Sequence, residues 1–415
     1  MATVRLADLR SARHWLGVLG RLNRAFQRRD EAIAEVLSSF DEKWPQIRHS
    51  FSIARRAAPS DEDQAALCLS FLLDGEDVLA FRLSAEERVE WFKAALATRG
   101  AQTDEPAKAR LLLRLGQAHL VLGQVDEALA CQEECLRIGQ RAADRRLEGS
   151  ALSAIGHSLA ARDPEEGLGR FRRRLELARA RADRQEETWA LGDLAAVEIA
   201  VGRIHDAIAH DEQRLEIARA DGDWSQEGYT LSHLSLGYFR LGRYRRAREH
   251  AEQALTVARE HHERSLEGFS LGNLGAVAIL ERQPKRALDL FRLRLENARQ
   301  IGDYKDEGFA LGDLGAVHVI FGDFDQARIC YETRLDRAVR YGDFEEQGYA
   351  LGNLGSLFLD MGDVDQAREF FTRRLENARR SGIREERLFA LSNLGMLELT
   401  SGRFERAVEL YREKL

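Results

Sequence analysis

The sequence predicts an all-α, right-handed superhelix of stacked helix pairs, and three observations support that prediction. Four sets of residues recur every 40 residues through most of the chain. Proline, which breaks helices, occurs only 5 times in 415 residues. Hydrophobic residues make up 44% and charged residues 32%, which suits thin helical layers with much surface. A period of this length is typical of stacked small units rather than of one globular core.

The recurring residues define four registers that we expect to lie in the core of the stack, because each holds one apolar residue type through six units. They are Leu191, Leu231, Leu271, Leu311, Leu351 and Leu391; Leu194, Leu234, Leu274, Leu314, Leu354 and Leu394; Ala207, Ala247, Ala287, Ala327, Ala367 and Ala407; and Leu215, Leu255, Leu295, Leu335, Leu375 and Leu415.

Residues 1–105 lack the repeat and form a predicted N-terminal helical segment. Apolar residues at helical spacing predict helices near 6–26, 30–57, 61–73 and 84–97. Ser84, followed three residues later by Glu87, is a capping box at the start of the last helix. We expect Trp15, Trp44 and Trp91 to anchor the core of this segment. A loop at 100–106 marks the predicted boundary with the repeat domain, residues 106–415.

Eight repeats are predicted near 107–145, 146–184, 185–224, 225–264, 265–304, 305–344, 345–384 and 385–415, each with two helices. In the sixth, Gly322 stands where a left-handed residue ends the first helix. Asp323 then caps the second helix, with Gln326 three residues later. The same signals recur at Gly362, Asp363 and Gln366. Between repeats, glycine and aspartate recur at Gly302, Asp303, Gly342 and Asp343.

These residues resemble a known family. Leu311-x2-Leu314-Gly315, with Ala327 twelve residues after the glycine and Tyr331 four further on, resembles the tetratricopeptide repeat. The longer period resembles that of the polarity adaptor Partner of Inscuteable and of bacterial signalling proteins. The stretches 42–54 and 82–97 resemble the segment that precedes such repeats in bacterial STAND-type NTPases. The resemblance implies a superhelix whose concave groove binds a partner.

The sequence predicts neither an enzyme nor a cofactor. It lacks a phosphate-binding G-x4-G-K-[ST] loop, and its L-G-x-L-G glycines fall inside helices with no strand before them. The zinc motif H-E-x-x-H and the nucleophile motif G-x-S-x-G are also missing. Cys131 and Cys135 lie at i, i+4 without further ligands nearby, so we interpret them as packing residues and expect no metal site.

The bulk properties favour a cytoplasmic protein. Four scattered cysteines do not form a disulfide framework. The N-terminus lacks the apolar region of a signal peptide, and no run of about 18 apolar residues predicts a membrane span. The net charge of −7 argues against a general nucleic-acid binder.

Two adjacent registers of the first helix are the candidate partner-binding residues. The aromatic register is Trp189, Tyr229, Phe269, Phe309, Tyr349 and Phe389, and four residues later stand Asp193, His233, Asn273, Asp313, Asn353 and Asn393. Residues at i and i+4 share a helix face. The family resemblance implies that both registers face the groove. The aromatic residues could instead lie in the core, and the polar ones could join neighbouring repeats by hydrogen bonds.

A third register, in the second helix, is basic: Arg174, Arg214, Arg294, Arg334 and Arg374, interrupted by Ala254 and replaced by Cys135 in the first copy. With the acidic residues Glu227, Glu267 and Glu307, it predicts either ion pairs between neighbouring repeats or a basic strip for an acidic partner.

The expected function is recognition of a protein or peptide by a non-catalytic sensor or scaffold in bacterial signalling. Two alternatives remain open: a polarity-type adaptor, and a regulatory region of an enzyme whose catalytic domain lies on another chain or beyond residue 415. The sequence stops partway through the second helix of the last repeat, where Leu391, Leu394 and Leu415 are expected near an uncapped end. This end either continues or associates with a copy of itself or another chain.

Overall fold

The computed structural model describes residues 2–28, 33–57, 62–98, 101, 104–381 and 384–414. Within these residues the regular structure is entirely helical, which confirms the predicted all-α fold. The helices are α1 (Ala2–Arg28), α2 (Ile33–Ala57), α3 (Glu62–Asp74), α4 (Glu76–Arg82), α5 (Ala85–Leu96), α6 (Glu105–Val121), α7 (Val125–Ala142), α8 (Arg145–Arg162), α9 (Pro164–Ala180), α10 (Arg184–Ala200), α11 (Ile204–Asp221), α12 (Trp224–Arg240), α13 (Tyr244–Glu260), α14 (Arg264–Leu280), α15 (Pro284–Ile301), α16 (Tyr304–Ile320), α17 (Phe324–Arg340), α18 (Phe344–Asp360), α19 (Val364–Ser381), α20 (Arg384–Thr400) and α21 (Phe404–Lys414).

The chain divides into two compact units, Met1–Gly222 and Asp223–Leu415. The first unit holds α1 to α11, which are the N-terminal segment and the first three repeats. The second unit holds α12 to α21, which are the last five repeats. The boundary near residue 105 lies inside the first unit and stays a prediction.

The N-terminal segment is organised by stacked aromatic rings. The rings of Phe51 and Trp91 lie 4.0 Å apart at 12°, and Trp44 also stacks on Trp91 at 5.5 Å. Ser84 and Glu87 form both hydrogen bonds of the predicted capping box. Trp15 is half-buried and lies against its neighbour His14. The short helix α4 was not predicted, and the predicted starts at 30 and 61 lie outside the described residues.

In each repeat the first helix, helix A, packs against the second, helix B. Helix B in turn packs against helix A of the next repeat in the same unit. The A helices of neighbouring repeats in that unit also contact each other. The A helices of one unit therefore form a continuous layer. The predicted turn is confirmed: Gly322 adopts φ 73°, and the backbone N–H of Gln326 donates to the Asp323 carboxylate at 3.2 Å. One repeat later, Gly362 also adopts a positive φ, and the backbone N–H of Gln366 donates to the Asp363 carboxylate.

Most residues of the leucine and alanine registers are buried between helix pairs, as predicted, whereas Leu255 and Leu295 are only half-buried. One cluster joins Ala327 and Leu335 of the sixth repeat to Leu351 and Leu354 of the seventh. At the last repeat, Leu391 and Leu394 are buried, and the exposed apolar side chains are Phe389, Met396, Leu399, Phe404 and Val408. Leu415 lies outside the described residues.

Leu314→Ala should lower the free energy of unfolding by about 2–5 kcal/mol, because a buried leucine loses packing and leaves a cavity. Leu314 is 5% exposed, whereas Ile320 on the same helix is 53% exposed. Ile320→Ala is therefore the matched control, with an expected change within about 0.5 kcal/mol. Urea unfolding followed by circular dichroism measures both. Equal losses in the two variants would show that the core register is wrong.

Candidate functional site

Three glycines of helix A make room for three large side chains. A β-carbon at Gly315 would overlap the ring of Tyr331 in helix B of the same repeat. One at Gly312 would meet the guanidinium of Arg334, and one at Gly308 the carboxylate of Glu346 in the next helix A. Glycine is needed at these positions because neighbouring side chains occupy the space of its missing β-carbon.

The arginine register lies buried beneath helix A. Arg334 is 6% exposed, and its Nε and Nη2 donate to the two carboxylate oxygens of Glu346 at 2.9 and 3.1 Å. This acid stands 12 residues after the arginine, in the next helix A. The same pairing joins Arg174 to Glu186, Arg294 to Asp306 and Arg374 to Glu386. These four arginines link neighbouring repeats by ion pairs and do not form an exposed strip.

Two of the acidic residues that we expected as partners of this register pair elsewhere. Glu267 and Glu307 accept from Arg259 and Arg299 at 3.0 and 2.8 Å. The actual partners lie one position earlier in helix A. Arg214, the remaining member, lies within the first unit at 3.7 Å from the buried carboxylate of Asp211.

Where the chain lacks the arginine it also lacks the acid, although Arg214 is kept with Gln226 at the position of the acid. Where Ala254 replaces the arginine, Leu266 stands at the position of the acid, and both are fully buried. Cys135 and Leu147 make the same double replacement in the first repeat and belong to one apolar cluster. This correlation between positions 12 residues apart was present in the sequence, and it is the signal that could have identified the acidic register.

The six residues of the aromatic register lie outside the buried core. Phe269, Phe309 and Phe389 are exposed, by 49%, 41% and 54%, and Trp189, Tyr229 and Tyr349 are half-buried. In the second unit the guanidinium groups lie over several of these rings. Arg334 is 5.7 Å from the ring centre of Phe309 and 5.5 Å from that of Tyr349. The rings are thereby held in place by buried cations, with one side open to solvent.

In the polar register, Asp193 is held within the first unit by a set of donors. Ser153 Oγ and Arg174 Nη1 donate to Oδ2 at 2.7 and 2.6 Å, and His157 Nε2 lies 3.4 Å from Oδ1. Burial favours the neutral carboxyl. The hydrogen bonds from His157 and Ser153 and the charge of Arg174 outweigh it, so the pKa of Asp193 is lowered.

In the second unit this register mixes bonded and unbonded side chains. Asp313 accepts from Arg294 Nη1 at 2.9 Å, and burial raises its pKa even though Arg294 and Arg334 oppose that shift. Asn273 donates to the carbonyl and hydroxyl oxygens of Ser232 at 3.1 and 3.2 Å. His233 is half-buried on α12.

Asn353 and Asn393 are also half-buried, and within the described residues their side chains make no hydrogen bond. Their amides therefore differ from that of Asn273, which is used inside the protein. Both groups of an unbonded amide are available to a partner, because an amide side chain is at once donor and acceptor.

We define the A-helix face of the second unit as the exposed side of α14, α16, α18 and α20. The aromatic register forms one row and the polar register the next. A third row holds Ala276, Ala316, Ser356 and Met396. Leu280 and Ile320 extend it as exposed apolar residues. Aromatic rings beside amides suit binding by shape and hydrogen bonding.

The described part of the chain holds no cluster of metal-binding side chains, and it buries two of its four cysteines. No group of three or more His, Cys, Asp or Glu residues there could hold a metal ion. Burial raises the pKa of Cys68 and of Cys135 to about 12, so both thiols are protonated at neutral pH.

None of the described helices combines the length and apolar character that crossing a membrane needs.

Comparison with protein families identifies the repeat. A model described as tetratricopeptide repeat matches residues 186–260 and 346–414, and a second model with the same description matches 109–145. The chain contains tetratricopeptide repeats. A search of curated proteins found no match. The finer resemblance to Partner of Inscuteable is not shown by these comparisons and stays a prediction.

Several solved structures share the tetratricopeptide-repeat fold at low identity. The apo form of the quorum sensor NprR from B. thuringiensis is 15% identical, with a TM-score of 0.53 over 81% of this chain and 99% of that one. A Rap protein complexed with Competence and Sporulation Factor is 13% identical, with a TM-score of 0.51 over 98% and 97%. A STAND protein with a tetratricopeptide-repeat sensor from Pyrococcus horikoshii is 12% identical, with a TM-score of 0.50 over 86% of this chain and 53% of that one.

Arg334→Ala should lower the free energy of unfolding by about 3–5 kcal/mol, because it leaves the carboxylate of Glu346 buried without its cation. Adding Glu346→Leu should restore most of that loss, since the double variant copies the pair Ala254 and Leu266. The control is Arg406→Ala, which breaks an ion pair whose side chains are both 62% exposed. It should cost about 0–1 kcal/mol. Chemical unfolding of the four proteins checks this, and a double variant less stable than Arg334→Ala would contradict the pairing.

Proposed function

We propose that this protein is a non-catalytic sensor or scaffold in bacterial signalling that binds an extended peptide, or an extended segment of a protein, along the A-helix face. The observation that supports this most directly is the unbonded amides of Asn353 and Asn393. They lie one helical turn from the rings of Tyr349 and Phe389 in successive repeats. This combination occurs in two successive repeats, so one extended partner could meet it twice.

The chemistry of an extended peptide suits this surface. Its backbone N–H and C=O groups are unpaired along their whole length, and amide side chains can bond to both. The rings of Phe309, Tyr349 and Phe389, each beside a buried guanidinium, offer rigid contact area that loses little entropy on binding. The half-buried carboxylate of Asp313 adds an acceptor for peptide donors.

The solved structures support a role in signalling. One similar fold is named a quorum sensor, another was solved with Competence and Sporulation Factor bound, and a third contains a tetratricopeptide-repeat sensor. The last of these favours a second candidate function, a regulatory region that acts on an enzyme. This chain matches only 53% of that signal-transduction ATPase. Co-purification of a nucleotide-hydrolysing partner would favour the second candidate over a free-standing sensor.

Replacing Asn353 and Asn393 together by alanine should weaken peptide binding about tenfold, because two hydrogen bonds of about 0.5–1.5 kcal/mol each are lost. The melting temperature should stay almost unchanged, since neither amide bonds within the described protein. The probe is a peptide selected from a random library displayed on phage. Its dissociation constant is measured by fluorescence anisotropy.

The control for this prediction is Asn377→Ala. The Asn377 amide is 6% exposed and donates to the Phe344 carbonyl at 2.7 Å, so its loss should lower stability and leave affinity per folded molecule intact. If the double variant instead melts early and binds the peptide normally, the polar register is structural. A library that yields no binder contradicts the proposed function.

A further inference from the structure

The charges beneath the A-helix face of the second unit are balanced except at one position. Arg334 and Arg374 each bind one buried acid, and Arg294 binds the half-buried Asp306. Asp313 is an additional carboxylate beside these ion pairs, and its side chain is 40% exposed. The arginines and their carboxylates together therefore carry a net negative charge. An acidic partner would meet an excess carboxylate there.

Asp313 has an oxygen to offer a ligand. Oδ2 accepts from Arg294, whereas Oδ1 accepts no hydrogen bond within the described residues. Phe309 lies one turn earlier on the same face of α16, with its ring 41% exposed. A carboxylate beside an exposed ring is a suitable site for a Lys or Arg side chain, because the carboxylate pairs with the charge and the ring stabilises it.

The repeat before Asp313 offers the opposite chemistry. At Phe269, the buried residues Ala254 and Leu266 stand where other repeats hold the arginine and its acid. The guanidinium of Arg294 lies against Gly272 of the same helix and not over the Phe269 ring. Phe309, Tyr349 and Phe389 each have a guanidinium within 6 Å of the ring centre, whereas Phe269 has none within the described residues. Its neighbouring ring is Tyr229, edge-on at 6.5 Å. This exposed apolar position suits an apolar side chain.

The distance between the two positions sets the spacing in the peptide. Phe269 and Asp313 lie on neighbouring A helices that pack against each other. Packed helices have axes about 8–10 Å apart, and an extended chain rises about 3.3 Å per residue, so the two side chains should be about three residues apart.

We infer that the A-helix face of the second unit selects a basic peptide. Its apolar side chain contacts Phe269, and a Lys or Arg about three residues away pairs with Asp313. This inference rests on the proposed function and adds the chemical class of its partner. It replaces the acidic partner that the arginine register had suggested.

The test is selection from the same random peptide library against the whole protein. We expect the enriched peptides to share a Lys or Arg about three positions from an apolar residue, in either chain direction. Replacing that Lys or Arg by Gln in one selected peptide should weaken binding to the unaltered protein about tenfold. With Asp313→Asn the same peptide change should have an effect of about twofold or less, because the charge that it reads is gone.

Two further variants separate the two halves of the inference. Ala254→Arg with Leu266→Glu restores the common ion pair and should remove the preference for an apolar residue while the Lys or Arg preference remains. Asp336→Asn makes the same change as at Asp313 on an exposed residue of α17 and should alter neither preference. Thermal melts establish that each variant is folded.

The outcomes distinguish the two proposals. A library that yields no binder overturns both the proposed function and this inference. Binders that are acidic, or that tolerate Lys-to-Gln replacement on the unaltered protein without loss of affinity, overturn this inference and leave peptide binding in place. The peptide-side replacement needs no protein variant, so a misfolded variant cannot hide the result.

Discussion

The structure of the repeats depends on a buried arginine that bonds to an acid in the next repeat. Two ions taken out of water cost several kcal/mol each, so they are tolerated only where their hydrogen bonds are satisfied. Arg334 meets that condition with two bonds to Glu346, in space left open by Gly312. The arginine, the acid and the glycine are therefore needed together. Where another residue replaces the arginine, the acid is replaced as well, as at Ala254 and Leu266.

This interaction also determines the character of the exposed surface. Because the arginines are neutralised below helix A, the surface above them presents rings and amides and not a row of cations. The guanidinium groups of Arg294 and Arg334 lie 5.8 and 5.7 Å from the ring centre of Phe309, and that residue stays exposed to solvent. A layer that stabilises the stack therefore also orients the residues that we propose bind a partner.

Much of the fold could be predicted from the sequence because its determinants are local or strictly periodic. Gly322 and Asp323 specify their turn through backbone conformation and capping, which involve only neighbouring residues. The leucine registers follow from the helical period. The acid partners of the arginines could not be predicted from these signals. A turn separates the two residues, and helical spacing does not relate positions across a turn. The exposure of Phe309 also depends on the neighbouring repeats, and helical spacing alone could not separate core from surface.

Site-specific photo-crosslinking tests most directly whether a partner lies along the A-helix face. A photoreactive amino acid is placed at Ala316, which is exposed between the polar register and Ile320 on α16, or at Ile329, which is exposed on helix B of the same repeat. After irradiation with a labelled, library-selected peptide, mass spectrometry quantifies the adducts. We predict efficient capture from position 316 and background levels from position 329. Capture from 329 with none from 316 would contradict the account.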